Sequence, residues 1–207
     1  MMIRNIVFDV GRVLIKWYPC EYTKEVFGDE IGEEICSKIY ESPDWTEIDR
    51  GTITEAEFWE QKKREFPHLE KELEHLSHKS LDFLEPIEET TQLIPLLKEA
   101  GYNLYILSNF NKENFEVIYN EYDFFKYFDG LVVSAWYHLV KPQKEIFTLL
   151  IDKFEIDHEE SLYIDDNIKN VEVARELGFQ TIHLEDYRIL EKKLEGVGII
   201  YKKIAEC

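Results

Sequence analysis

Five polar residues of this 207-residue chain stand where short apolar runs end: Asp9 after Ile6-Val7-Phe8, Ser108 and Asn109 after residues 104–107, and Asp165-Asp166 after residues 162–164. A sixth, Lys141, precedes the last of these runs. Carboxylates, a hydroxyl and an ammonium are the groups that hold a cation and an anionic substrate together. Singly each has a plainer explanation: an aspartate at a strand end is ordinarily a turn former or helix cap, Ser108-Asn109 a loop start, and Lys141 a solvated surface lysine. Asp165-Asp166 is the stronger signal, because adjacent acids at a buried strand end repel unless a cation neutralises them. A helix N-cap would still account for Asp166 or Asn167. Taken in order, Asp, Ser, Lys and Asp-Asp imply one site along one edge of a sheet.

The elements that would position them follow from the apolar pattern. Residues 6–8, 104–107, 131–133, 162–164 and 181–184 are expected as buried parallel strands. Between them, residues 86–100 read as a helix with Leu93, Leu96, Leu97 and Ala100 on one face and Gly101 as its stop, although Pro95 should kink it or shift its start. Residues 168–177 form a second helix stopped by Gly178, and Lys141-Pro142 is expected to open another, with proline in its first turn. Alternating strands and helices predict an α/β fold, a three-layer Rossmann-like parallel sheet with helices on both faces, whose ligands bind beyond the carboxyl ends of the strands. Residues 17–83 are different: rich in Glu, Lys and aromatics, with no convincing strand. Thr54-Glu55-Ala56-Glu57 is a capping box opening a helix through Phe58, Trp59 and Gln61. The expected organisation is a core of residues 1–16 and 84–207 carrying an inserted helical cap, 17–83.

Composition narrows the partners. Acids outnumber Lys and Arg by 43 to 24, a net charge of −19, which disfavours nucleic acid and anionic membranes. An anionic small molecule must then be met by a few placed cations or a metal. Apolar residues make up 44% of the chain, so a folded core is expected rather than disorder. The N-terminus reads as neither a signal peptide nor a membrane span. Cys20, Cys36 and Cys207 are sparse and form no C-x-x-C pair, so reduced thiols in a cytoplasmic protein are expected.

The segments "IVFDVGRVL", "YILSN", "VKPQKEIF" and "YIDDNIKNVEVARELG" resemble, in order and along essentially the whole chain, the motifs of the haloacid dehalogenase superfamily of hydrolases. Their wording is similar to the small phosphatases that include α-glucose-1-phosphate phosphatase and the phosphatase domain of soluble epoxide hydrolase. The resemblance implies a Mg²⁺-dependent phosphatase of small phosphomonoesters, such as sugar phosphates. Asp9 would be the nucleophile that forms an aspartyl phosphate, with Ser108 and the amide of Asn109 on a phosphoryl oxygen. Lys141 would balance charge between phosphate and Asp9. Mg²⁺ would be held by Asp9, the carbonyl of Gly11, Asp165 and Asp166, an all-oxygen set suited to this ion.

One departure stands out. Most phosphatases of this superfamily carry a second aspartate two residues after the nucleophile, and here that residue is Gly11. Its carbonyl can still ligate a metal, but it cannot act as general acid and base, a contribution of roughly 10²- to 10⁴-fold in rate. Three readings follow: a phosphatase that favours easier leaving groups or recruits water or a cap residue as acid; a metal-independent 2-haloacid dehalogenase; or a catalytically weak protein that binds phosphorylated ligands or another protein. Arg12 stands where a small residue is common in the family, and could contact substrate or pack outward. His138, in a position where the family often has Gly, could take a catalytic role, with tolerance of unusual backbone as the plainer explanation. Trp45, Asp49 and Arg50 are candidate specificity residues, expected between cap helices, with core packing and solvation as the plainer explanations. His68, His75, His78, His158 and His183 show no ligand spacing.

Overall fold

Strand β1 (Asn5–Phe8) is buried along its whole length, and its central place in the sheet explains its unbroken apolar sequence. The computed structural model describes residues 2–201. The other strands are β2 (Asn103–Ser108), β3 (Gly130–Val133), β4 (Ser161–Asp165) and β5 (Gln180–His183), all parallel, in the order β3-β2-β1-β4-β5. Alternation along the strands divides the core. Ile6, Phe8, Leu104, Ile106, Leu162 and Ile164 face one layer of helices, while Val7, Tyr105, Leu107, Val132 and Tyr163 face the other. Phe8 pairs with both Ile106 and Ile164, so the residues that follow these three strands emerge side by side.

Residues between β1 and β2 supply α1 (Pro19–Phe27), α2 (Asp29–Ile35), a π-helical turn Cys36–Tyr40, α3 (Pro43–Arg50), α4 (Glu55–Glu65) and α5 (Glu70–Ser77). They bury an apolar cluster of their own, including Ile39, Trp45, Phe58, Trp59 and Leu73. The capping box at α4 is present: Thr54 Oγ1 accepts from Glu57 N at 3.2 Å, and Glu57 Oε2 accepts from Thr54 N at 2.9 Å. The remaining helices are α6 (Glu88–Thr91), α7 (Leu93–Glu99), α8 (Lys112–Glu121), α9 (Ser134–Tyr137), α10 (Lys144–Phe154), α11 (Ile168–Glu176) and α12 (Leu190–Gly196). Among the described residues no helix is long and apolar enough to cross a membrane.

Four expectations are corrected. Residues 86–100 form two helices instead of one, interrupted at Gln92; Pro95 then lies within the first turn of α7, where its missing N–H costs no helical bond. Pro142 does not stand in a first helical turn: its peptide with Lys141 is cis, and α10 starts only at Lys144. Cys20 and Cys36 are joined as a disulfide instead of being free thiols; α1 and α2 pack as a pair and close the 16-residue gap that made the two look unrelated. Cys207 lies outside the described residues. Trp45, Asp49 and Arg50 lie on α3 itself instead of between helices.

The C-terminal end of α3 is seated on the core. Gly51 takes a left-handed conformation, φ +73°, and a Cβ there would come within 2.8 Å of the Ala135 carbonyl, so only glycine allows so close an approach. Ser134 Oγ donates to the Asp49 carbonyl, and His138 Nδ1 donates to the Arg50 carbonyl at 3.0 Å. Arg50 in turn reaches the His138 carbonyl at 3.4 Å and Gln143 Oε1 at 3.3 Å. His138 adopts φ +56°, the unusual backbone expected of it, and its ring serves to hold α3.

Candidate active site

Asp9, Asp165 and Asp166 converge: one carboxylate oxygen from each lies within 4.8 Å of the others. Asp9 continues the ladder beside β4, its N–H donating to the Ile164 carbonyl at 2.9 Å. Its Oδ1 accepts from Val10 N (2.7 Å) and Ser108 Oγ (2.8 Å) and lies 2.9 Å from Lys141 Nζ. No described residue donates to Oδ2. Three donors thus fix one oxygen and leave the other available to react.

Lys141 Nζ also bonds Asp165 Oδ2 at 2.7 Å, bridging two acids in a site where its own side chain is 1% exposed. The Asn109 side chain locks the loop that carries it, donating to the Lys141 carbonyl (3.1 Å) and accepting from Lys141 N (2.8 Å). Burial works against the ammonium, but Asp165 and Asp9 outweigh it and hold Lys141 above its ordinary value.

The two adjacent acids are not equivalent. Asp165 accepts from Lys141, Tyr163 OH (2.5 Å), Asn167 N (2.7 Å) and the Asn170 amide (3.0 and 3.1 Å), so both its oxygens are engaged. Among the described residues the Asp166 carboxylate forms one ion pair, with the Arg12 guanidinium 3.9 Å away, while His183 Nε2 donates to its backbone carbonyl at 2.9 Å. Arg12 is turned to the protein, donating to the Trp17 carbonyl at 2.9 Å and stacking over Tyr18, at a left-handed φ of +57°.

Three carboxylates face one buried ammonium here. Burial, with Asp165 and Asp166 adding to it against Lys141, pushes Asp9 up to about 7. Burial and Asp165 likewise raise Asp166, against Lys141 and Arg12. The cluster therefore lacks positive charge, and it offers hard oxygen donors to a cation that would supply it. Asn170 Oδ1, buried with no donor among the described residues, is a further open acceptor beside Asp165.

A cavity of about 60 Å³ lies against Gly11 and Asn109, which follow Asp9 and Ser108 closely in the chain. Gly11 forms part of its wall, with Trp17, Leu84 and Phe110 beside it and Trp45 and Asp49 contributed by α3. Trp45 is thus both core and wall. Burial, with Asp9 and Glu55 adding to it against Lys141, pushes Asp49 up to about 7.

Every residue singled out at the strand ends thus lies at one end of the sheet. Sequence reasoning missed Tyr163 and Asn170, which fix Asp165. The first had a signal, standing two residues before Asp165 and hence on the same face of β4. It also missed Ser134, whose Oγ accepts from Phe110 N at 2.9 Å while donating to the Asp49 carbonyl.

Comparison with known proteins gives a consistent result. A family model described as haloacid dehalogenase-like hydrolase matches residues 18–184. Sesquiterpene phosphatase astK of Aspergillus oryzae is 25% identical over 87% of this chain and 89% of its own. D-ribitol-5-phosphate phosphatase of Bacteroides thetaiotaomicron is 26% identical over 89% and 93%. A HAD family enzyme from Bacteroides thetaiotaomicron, solved with magnesium and inorganic phosphate, superimposes with a TM-score of 0.68 at 27% identity, covering 91% of this chain and 98% of that one. Drimenol cyclase drtB of Aspergillus calidoustus is 24% identical, and this chain spans 37% of its length.

Proposed function

The chain belongs to the haloacid dehalogenase-like hydrolase family, and we propose that it is a Mg²⁺-dependent phosphatase of small phosphomonoesters acting through an aspartyl phosphate on Asp9. The observation that carries this reading is the convergence of Asp9, Asp165 and Asp166 around a single buried ammonium. Asp9 Oδ2 is the attacking oxygen, held in line by the three donors on Oδ1. As substrate binds, Ser108 Oγ turns its one proton from Asp9 Oδ1 to a phosphoryl oxygen, beside the backbone N–H of Asn109, leaving Val10 N and Lys141 on Oδ1, and Lys141 offsets charge between the phosphate and Asp9. Mg²⁺ would be held by Asp9, the Gly11 carbonyl and Asp166, with the fully bonded Asp165 acting from behind, and it would screen phosphate from carboxylate. Residues 17–83 serve as the cap that closes over the substrate.

Relatives that act on D-ribitol 5-phosphate and on sesquiterpene phosphates support phosphate-ester hydrolysis but diverge on the alcohol. We take sugar and polyol phosphates as the leading class. The walls made by Trp17, Trp45, Leu84 and Phe110 favour a second reading, an apolar alcohol. A panel of pentitol, hexose and prenyl monophosphates with 2-haloacids, run with and without Mg²⁺, separates them. Metal-independent halide release would overturn the phosphatase reading, and tight phosphate binding with no turnover would favour a binding protein.

Metal binding should be visible without turnover. Mg²⁺ at a hundred times its Kd stabilises the fold by about 2.7 kcal/mol, or about 5–11 °C in Tm at this chain length. Because Asp9 and Asp166 are raised, protons compete with the metal on the acid side. The Mg²⁺-dependent gain in Tm should therefore be larger at pH 8 than at pH 6. Equal gains at both would show that these carboxylates are not the ligands.

A further inference from the structure

We propose that Asp49 is the acid–base group of the reaction, delivering from α3 the proton transfer that Gly11 cannot perform; this rests on the phosphatase reading above. Asp49 is the one titratable side chain among the residues lining the cavity, and Gly11 lines the same space. The seat of α3 on the core fixes where that side chain stands. The Asp49 carbonyl is bonded by Ser134, the Arg50 carbonyl by His138, and Gly51 packs against Ala135. No described residue gives the Asp49 carboxylate a hydrogen bond or an ion pair. A half-buried acid that is rigidly placed yet unused by the fold has a proton to exchange with whatever enters the cavity.

The neighbouring groups are otherwise committed. Glu55, on α4, accepts from Trp59 Nε1 at 3.1 Å and from Asn114 Nδ2 at 2.9 Å, one bond on each oxygen. Arg50 is drawn to Glu47, His138 and Gln143. Asp9 and Lys141, near enough to Asp49 to act on its charge, belong to the nucleophile's cluster. Both protonated and ionised Asp49 are available near neutrality, since its pKa is pushed up to about 7.

The steps balance. First the bond from Asp9 Oδ2 to phosphorus forms as the ester P–O bond breaks, and the Asp49 proton passes to the departing alkoxide oxygen. Then ionised Asp49 takes a proton from water, the water oxygen bonds to phosphorus, and the Asp9–phosphorus bond breaks. Asp9 returns as a carboxylate, Asp49 is protonated again, and alcohol and inorganic phosphate leave.

The test is kcat/KM for Mg²⁺-loaded protein on monoesters graded in leaving group, from p-nitrophenyl phosphate to an alkyl phosphate. This parameter reports the step in which the alcohol departs, where an acid acts. Asp49→Asn should lower it about 10²- to 10⁴-fold for the alkyl ester and progressively less as the leaving group improves. Asp49→Ala should do the same. Adding Gly11→Asp to Asp49→Asn should restore the alkyl ester about tenfold or more, part of what a positioned acid contributes. The new Cβ would meet only Trp17 Cβ at 3.9 Å. An equal loss on all esters, or none, with wild-type turnover intact overturns the Asp49 role alone. Loss of the fold in both Asp49 variants would mean that the side chain is structural, and would overturn it too. Absence of wild-type turnover on every ester instead fails the phosphatase reading.

Discussion

Asp9→Asn should lower turnover by about 10⁵-fold or more, the scale of the effective molarity of a positioned nucleophile, while the protein remains folded. Asparagine keeps an Oδ1 to accept from Val10 N, Ser108 Oγ and Lys141, so the geometry of the strand end is preserved. What it removes is Oδ2, the oxygen without a donor. It also removes one of three converging negative charges, so the metal-free variant should match or exceed the wild type in Tm. Phosphate release and thermal unfolding measured on the same preparations check both statements. Turnover surviving the substitution would show that a different group attacks phosphorus.

Lys141→Met should be the most damaging change to stability. The ammonium is 1% exposed and holds Asp9 and Asp165 at 2.9 and 2.7 Å, so its removal leaves buried carboxylates without their counter-charge. Breaking a buried pair in this way costs about 3–5 kcal/mol, which is about 6–20 °C in Tm for a chain of this size. The pH dependence has a definite sign. Asp9 already sits above its ordinary value, and losing Lys141 raises it further, so the folded state favours the protonated acid. That contribution is present below the unfolded carboxylate range and is lost as pH rises toward and past 7. The deficit of Lys141→Met should therefore be deeper at pH 8 than at pH 5, and added Mg²⁺ should recover part of it at pH 8. Urea unfolding at the two pH values checks this; a deficit independent of pH would place the damage in packing rather than in charge.

Much of this site is legible in local patterns because the chemistry stands at the ends of buried strands. An apolar run that stops on Asp9, on Ser108 or on Asp165 marks both a strand and the place where a parallel sheet binds ligands. The asymmetry between Asp165 and Asp166 is not legible that way. It depends on Lys141, from the loop before α10, and Asn170, from α11, joining Tyr163 of β4 itself to occupy one carboxylate and leave the other almost bare. The Cys20–Cys36 bond was missed for the same reason: sixteen residues separate them in sequence, and only the pairing of α1 with α2 brings them together.

Position 11 shows where the two kinds of information meet. The parallel sheet, the order of its polar strand ends and the missing side chain two residues after Asp9 follow from residue order alone, because strand periodicity and residue identity are local properties. What faces that gap is set by the packing of distant segments. Asp49 lies forty residues from Asp9, on a helix whose position is set by Gly51, Ser134 and His138. Its burial beside Asp9 and Glu55, which raises its pKa, depends on contacts between segments distant in sequence, and these exist only once the chain has folded.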